Sequence, residues 1–585
     1  MDSLSLTGQT WSLREVTLDD ARRLENQLQL HPVVARCLAA RVTDPIQART
    51  WLRPSLDHLH DPALIAGMDI AIDRIKTAII NKERIRIVTD YDVDGTTSSL
   101  IIQGTLRLLG AGNQVDYHIP DRFKEGYGFS EIAANQAGDD GIGLIITADI
   151  GVRDHTAVRT ASARGVDVII CDHHLPAGES VPTEAVAVLC PPQEGCGYPN
   201  KALAACGVSL KLAQALLEDH PKKSAIIRSM LKIAAIGTVA DVVDLSTSEN
   251  RAIVSFGLRS LQSGNHVPGL RALMDVAGLQ GEISASDLGF RLGPRINAAG
   301  RLAQATAVIE LFDERDPGQA RARAQALDDL NRDRQEIQRT LVQRCLEQLP
   351  NPPPDFVTLW GLESDGWHRG VVGIVAAKVR DALNRPVAIV SVAGDEARGS
   401  VRATPSCHAV RALDSASTHL LAYGGHPAAA GFSVRTEHLE DLREQLNQWA
   451  GANSEPGSWT PSIEVDAICD IDHLRHPDID LLAQGLSDLG PHGKGNPAPV
   501  LQLDNVRISD PRPMGEKHLR MRIGEMDAVW WNGREHTHTL TQGPVSLIGS
   551  LGYNSWRGKR TVRFTIADGR TVTAEPSAPA SPEGL

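Results

Sequence analysis

Cysteine is scarce: the 585 residues hold eight, and none forms a Cys-x-x-Cys pair, Cys190 and Cys196 with five residues between them being the closest. This argues against zinc and against a disulfide framework, and predicts reduced thiols. No run of about 18 consecutive apolar residues is present, which excludes a membrane span. The opening MDSLSLTGQTWSLREVTLDD has no basic segment followed by an apolar one, so nothing suggests secretion and a cytoplasmic protein is the expectation. Positive charge is also lacking, the net charge being -13. That excludes a generally adhesive polycation, yet carboxylates that hold metal ions add negative charge without repelling a substrate once the metals are bound.

What is present is a globular composition, 42% hydrophobic and 22% charged, in a chain too long for one core, since domains hold roughly 100 to 200 residues. From about Arg84 to Leu245, short runs rich in Ile and Val alternate with helical stretches, the pattern of a parallel sheet with crossover helices. Strands are predicted at Ile85 to Thr89, Leu144 to Thr147, Val166 to Cys171 and Ala187 to Leu189, with helices starting near Thr96 and His155. Residues 1–65 read as a helical lead-in. A stretch from Gln319 to Leu349 without Pro or Gly reads as one long helix. A second α/β unit runs from Asp355 to about Trp449, and GANSEPGSWTPS supplies a turn-rich linker. Beyond it, Ile463 to Val572 looks mostly β, and 574–585 disordered.

Carboxylates and imidazoles fall at the ends of the apolar runs. IRIVTDYDVDGTTSS places Asp90, Asp92 and Asp94 where a strand gives way to a helix; LIITADIGV does so with Asp149, and VIICDHHLP with Asp172, His173 and His174. IAAIGTVADVVDL reads as a fourth strand end, carrying Asp241. Open α/β sheets bind ligands at this carboxyl edge. A single Asp after a strand is commonly a turn former or helix cap, but four such runs in one sheet point to a metal site. Oxygen ligands with one or two imidazoles suit Mn²⁺ or Mg²⁺, and two such ions about 3.5 to 4 Å apart need a shared carboxylate.

At these residues the chain resembles the DHH phosphoesterase superfamily, and more closely its RecJ-type single-strand-specific exonucleases. The resemblance covers DYDVDGTTSS, TADIGV, CDHHLP, ACGVSLKL, GTVADVVDL, LGPRINAAGR, GWHRGVVGIVAAKV, GSVRAT and GGHPAAAG, in the family's order. It implies an α/β fold in which a parallel-sheet DHH catalytic domain (66–275) is joined through linking helices (276–349) to a second α/β domain, DHHA1 (350–452), followed by a β-rich OB fold (461–573). It implies two Mn²⁺ or Mg²⁺ ions held by Asp92, Asp94, Asp149, His173 and Asp241, with Asp149 bridging, Asp90 and Asp172 in support and His174 facing the scissile phosphate. Some members carry His where this chain has Val88, which implies that one metal is weakly held or takes a water ligand. Ser400 and Arg402, with Arg301, resemble the group that recognises the 5′ end, while Arg295, Asn297 and His426, whose ring beside exposed glycine backbone suits a phosphate, are further candidates for binding phosphate and DNA. For Arg295 and Arg301 a structural salt bridge, and for His426 a packing turn, stand as the alternatives.

From Pro511 to Arg563 nine Lys and Arg face four Asp and Glu, with Trp530, Trp531, Tyr553 and Trp556 among them. Basic side chains and flat rings suit a single strand, and Trp556, Arg557, Lys559 and Arg560 are the candidates for touching it. An aromatic in a small barrel is as readily core. The implied function is 5′-to-3′ hydrolysis of single-stranded DNA to mononucleotides in repair and recombination, by a monomer working with a helicase and a single-strand-binding protein. The rivals are a small-substrate phosphoesterase of the same superfamily, which does not need the basic β domain, and a non-catalytic replisome scaffold, in which the metal carboxylates are partly lost.

Overall fold

The computed structural model describes residues 5–120, 125–126, 128–176, 178, 180–455, 457–556 and 559–572, with backbone alone at 555, 556 and 559. Its residues form two compact units: Leu56–Trp459, and Met1–Ser55 together with Thr460–Leu585. Among the described residues no helix is long and apolar enough to cross a membrane.

In the larger unit, β1 (Ile85–Thr89), β2 (Val115–His118), β3 (Leu144–Ala148), β4 (Asp167–Cys171) and β5 (Ala187–Leu189) form a parallel sheet in the order β2-β1-β3-β4-β5. Apart from the edge strand β2, its strands read as mainly apolar runs because both faces are covered. Ile85, Ile87, Leu144, Ile146 and Ile169 enter one apolar layer, while Val88, Ile145, Val168 and Ile170 enter the other with Phe129 and Ile150. Val88, fully buried there, is thus a core residue of β1. The edge strand β2, VDYH, is only half-buried and was not expected from the sequence.

Helix α1 (Val93–Leu108) follows β1, and α2 (Ala205–Leu216), α3 (Lys223–Ala240) and α4 (Ser248–Gln262) pack beyond it. Helix α5 (Gly293–Leu302) carries the NAAGR segment. Next, α6 (Pro317–Glu347) is the expected long helix; it begins two residues early because Asp316 caps it and Pro317 fits its first turn. A second sheet, mixed, has the order β9-β10-β8-β7-β6, with β6 Val357–Leu362, β7 Val387–Ala393, β8 Glu396–Arg402, β9 Leu420–His426 and β10 Ala429–Arg435. Helix α7 (Val372–Leu383) lies against β7 and β8.

The smaller unit holds a seven-stranded sheet in the order Ala467–Ile468, Leu501–Val506, Val545–Trp556, Lys559–Thr571, Met526–Trp530, His518–Ile523, Ile508–Met514. The segment expected to lead into the catalytic domain belongs here instead. Its strand Thr10–Leu13 pairs in parallel with Ser462–Val465, and Leu24, Val34, Leu38 and Trp51 share one core with Leu482, Leu486, Leu519 and Phe564. The buried Arg41 guanidinium bonds Asp466 Oδ1 (2.9 Å) and Asn496 Oδ1 (2.8 Å). The apolar stripe Val33, Val34, Cys37, Leu38 on helix Pro32–Ala39 needs a facing surface, and finds it in this core.

Candidate active site

Strand order reverses between β1 and β3, so the chain leaves them toward opposite faces and opens a crevice at their carboxyl ends. Asp92 caps α1, Oδ1 accepting from Asp94 N (2.8 Å) and Gly95 N (3.1 Å). A Cβ on Gly95 would lie 2.3 Å from the Asp90 carbonyl oxygen; only glycine lets α1 start pressed against that backbone. Asp94, 1% exposed, accepts from Ala205 N (2.7 Å) and Cys206 N (2.9 Å) at the start of α2. The amides of the ACGVSLKL segment thus aim a carboxylate, a role with no signal in their side chains.

After β3, Asp149 sits at φ 64°, a conformation that Asp and Asn tolerate better than most residues. After β4, Asp172 Oδ1 accepts from His173 N (2.7 Å), His174 N (3.1 Å) and His174 Nδ1 (2.7 Å), and Oδ2 from Val152 N (3.1 Å). Burial opposes ionisation of Asp172, but the bond and charge of His174 prevail and hold it down to about 2. For His174 burial again opposes the charge, and Asp172 raises it above the usual imidazole range.

Asp241 does not follow a strand. The run before it belongs to α3, whose C-cap residue it is. The run is apolar because α3 is packed on several sides; Gly237 lets it close in, a Cβ there meeting Thr97 Oγ1 at 2.3 Å and Cys206 Sγ at 2.6 Å. The side chain still reaches the crevice.

There, His173 Nε2 lies 3.2 Å from Asp149 Oδ1, 3.6 Å from Asp241 Oδ2 and 3.9 Å from Asp94 Oδ2. The atom is buried and makes no hydrogen bond to any of them. Burial lowers its pKa, which keeps the imidazole neutral as ligation requires. Burial, then the Asp92, Asp94, Asp90 and Asp241 carboxylates, push Asp149 well above the usual range. Buried like charges around an unbonded imidazole nitrogen are the environment a divalent cation neutralises.

Three sets of ligand atoms each lie within 4.8 Å of one another: Asp90, Asp92 and Asp149; Asp94, His173 and Asp241; Asp149, His173 and His174. Asp149 belongs to two. Asp90 stands among the first set, closer to a ligand's place than the supporting one expected. His174 spends Nδ1 on Asp172, which favours a phosphate contact over ligation. The donor set fits two hard divalent ions. Mn²⁺ at a hundredfold excess over its dissociation constant is expected to raise the thermal midpoint by about 5 °C. Asp149→Asn, which removes one buried charge, is expected to raise the metal-free midpoint and cancel that gain; differential scanning fluorimetry reads both.

In the second sheet, Arg402 Nη1 donates to Ser400 Oγ (2.8 Å) and to the Val401 carbonyl (2.8 Å). A Cβ on Gly373, in the first turn of α7, would come within 3.1 Å of both Arg402 Nη2 and Ser400 Oγ. Burial lowers the Arg402 pKa, with Arg380 adding to it, and among the described residues no carboxylate pairs with this guanidinium. A helix N-terminus, a hydroxyl and a desolvated cation make an anion cradle. The role of Gly373, inside VVGIVAAKV, was not read from the sequence. His426, exposed at the end of β9, pairs through Ala429 with Arg402 across three strands and so shares its sheet face.

The other expected contacts divide. Arg295 is spent within the fold, on Asp328 of α6 (2.8 Å) and the Arg291 carbonyl (2.7 Å). Arg301 Nη1 donates to the Gly370 carbonyl (3.1 Å), tying α5 to the loop before α7. Asn297 is half-buried on α5. In the smaller unit, Trp530 is core, stacked on His536, whereas Trp531 is exposed with its ring edge-on to His518. Arg560 lies 3.5 Å above the Tyr553 ring. Arg557, the side chains of Trp556 and Lys559, and the tail 574–585 lie outside the described residues.

Three family models match the chain: the DHH family, N-terminal domain, over residues 84–238; the DHHA1 domain over 355–452; and the RecJ OB domain over 465–568. The single-stranded-DNA-specific exonuclease RecJ of Bacillus subtilis (strain 168) is 35% identical over 569 residues, 95% of this chain and 70% of that protein. Its counterpart in Escherichia coli (strain K12) is 32% identical over 591 residues, 95% and 98%. The crystal structure of RecJ in complex with Mn²⁺ from Thermus thermophilus superposes with a TM-score of 0.81 at 28% identity, covering 97% of this chain and 80% of that one. With all three family domains matched in order and such identity over nearly the whole length, the chain belongs to the RecJ family of single-stranded-DNA-specific exonucleases.

Proposed function

We propose that this protein hydrolyses single-stranded DNA from its 5′ end, releasing mononucleotides, in DNA repair and recombination. The observation that carries the reading is the unbonded Nε2 of His173 amid Asp94, Asp149 and Asp241. Two Mn²⁺ or Mg²⁺ ions, when bound, would lower the pKa of water and offset the negative charge that builds on the phosphoryl oxygens in an in-line displacement. Asp92, Asp94, Asp149, His173 and Asp241 would hold the ions, with Asp149 common to two of the ligand groups and Asp90 in support from within ligand reach. Asp172 fixes the His174 ring through Nδ1, and the protonated ring would donate to a non-bridging phosphate oxygen. Ser400, Arg402 and the first turn of α7 receive the terminal phosphate. Arg301 holds that loop to α5, and His426 contributes from the same sheet face. The basic, aromatic-bearing sheet of the smaller unit, with Arg560 over the Tyr553 ring, is a further surface for single-stranded DNA. Because the substrate is unpaired, a helicase and a single-strand-binding protein supply it in the cytoplasm.

The test is degradation of strands labelled at one end, offered as single-stranded DNA, duplex and RNA with Mn²⁺, Mg²⁺ or chelator. Product nucleotides from the 5′ end of the single strand alone are expected; release from the 3′ end, or equal attack on duplex, contradicts the reading. Arg402→Ala is expected to raise KM for a 5′-phosphorylated strand about tenfold to a hundredfold, with a smaller change for a 5′-hydroxyl strand.

A further inference from the structure

Helices α3 and α4 cross closely at Gly257, where a Cβ would meet Ala235 Cβ at 2.3 Å and the Leu231 carbonyl at 2.6 Å. Beside the crossing they line an open pocket of about 460 Å³. Arg228, Ser229 and Lys232 from one face of α3 stand opposite Phe256, Arg259 and Ser260 from one face of α4. Ala225, Leu231, Ser263 and Asn265 complete the wall, and among the described residues no carboxylate lines it.

The chain is acidic, and elsewhere its arginines are commonly matched: Arg74, Arg86, Arg107 and Arg295 each bond a carboxylate. Arg228, Lys232 and Arg259 have no such partner among the described residues. Lys232 is 8% exposed; among the described residues its ammonium donates to one acceptor, the Asn265 carbonyl (2.8 Å). Burial lowers its pKa with no opposing carboxylate. Arg259 lies over the Phe256 ring, 4.8 Å from its centre, which leaves the edges of its guanidinium for another acceptor. A buried ammonium with spare protons, two exposed guanidinium groups and hydroxyl groups around one concavity make a site for an anion. The volume falls in the range of small-molecule sites.

We infer that this pocket binds a phosphate-bearing anion of nucleotide size, at a site separate from the metal carboxylates and from the Arg402 cradle. The phosphate comes either from a free mononucleotide, the class of product the enzyme makes, or from the backbone of a bound strand. The inference rests on the pocket alone, so its failure leaves the nuclease reading intact.

The full-length protein in chelator is titrated calorimetrically with thymidine 5′-monophosphate, inorganic phosphate and a short oligothymidylate. Arg402→Ala first removes the 5′-terminal cradle. In that background the mononucleotide is expected to bind at one site, and adding Arg228→Ala with Arg259→Ala to weaken it about tenfold or more. If only the strand loses affinity by that factor, the pocket takes backbone phosphate. Lys232→Met, with its thermal midpoint checked, is expected to act in the same direction. Binding of all three probes unchanged by the Arg228 and Arg259 substitutions overturns the inference.

Discussion

Replacing Asp149 by alanine is expected to lower Mn²⁺-dependent degradation of single-stranded DNA by about a thousandfold or more, the loss that follows when several kcal/mol of charge stabilisation disappear. Binding of a single strand in metal-free buffer is expected to persist, since the Arg402 cradle and the basic sheet do not depend on this carboxylate. Asp149→Asn is the companion variant. Alanine is strained at φ 64° whereas asparagine tolerates it, so an equal loss with both assigns the effect to charge and ligation rather than to backbone. Asp92 is a less clean target because it also caps α1. Activity within tenfold of the parent in Asp149→Asn would falsify the bridging role.

The second large effect is on stability. Lys211 Nζ lies 2.7 Å from Glu249 Oε1, both side chains fully buried. Glu249 also accepts from Tyr198 Oη (2.7 Å), His60 N (3.0 Å) and Asn200 Nδ2 (3.2 Å). Burial lowers the Lys211 pKa while Glu249 opposes that. Lys211→Met keeps the volume but strands a carboxylate among neutral donors, a loss expected to reach about 3 to 5 kcal/mol. Urea unfolding followed by fluorescence measures it. Adding Glu249→Gln removes the stranded charge and keeps a carbonyl acceptor, so the double variant is expected to recover part of the loss. A single variant as stable as the parent would show that the pair is dispensable.

Much of the fold was legible because fully buried parallel strands write themselves as apolar runs. Ile85–Thr89 and Ala187–Leu189 fall where the sequence places them, and Leu144–Ala148 and Asp167–Cys171 within one residue. The carboxylates after three of these strands converge for the reason expected, the carboxyl edge of a sheet. Asp241 was assigned to the wrong element, because an apolar run is as compatible with a buried helix as with a strand, and length decides only when the run's start is known. Edge strand β2 carries Asp116 and His118 in four residues and has no apolar signature. Ser400 and Arg402 of the anion cradle were named from the family resemblance, but Gly373 escaped, because it matters for the Cβ it lacks. Nor does any local signal reveal that the residues before Ser55 pair with a strand near Ser462, since that partner is a long-range contact.

That last pairing sets an order of events during synthesis. The helices Pro32–Ala39 and Pro45–Leu52 emerge early, yet the surfaces they bury against, Leu482 to Phe564, are translated only after roughly four hundred more residues. At synthesis rates of about 5 to 20 residues per second the wait is about 20 to 80 seconds. Throughout it the Val33, Val34 and Leu38 stripe has no native partner, while the catalytic unit between can already fold. A nascent chain arrested near Trp459 would therefore carry a formed metal centre and an unfolded leading segment that a chaperone can grip.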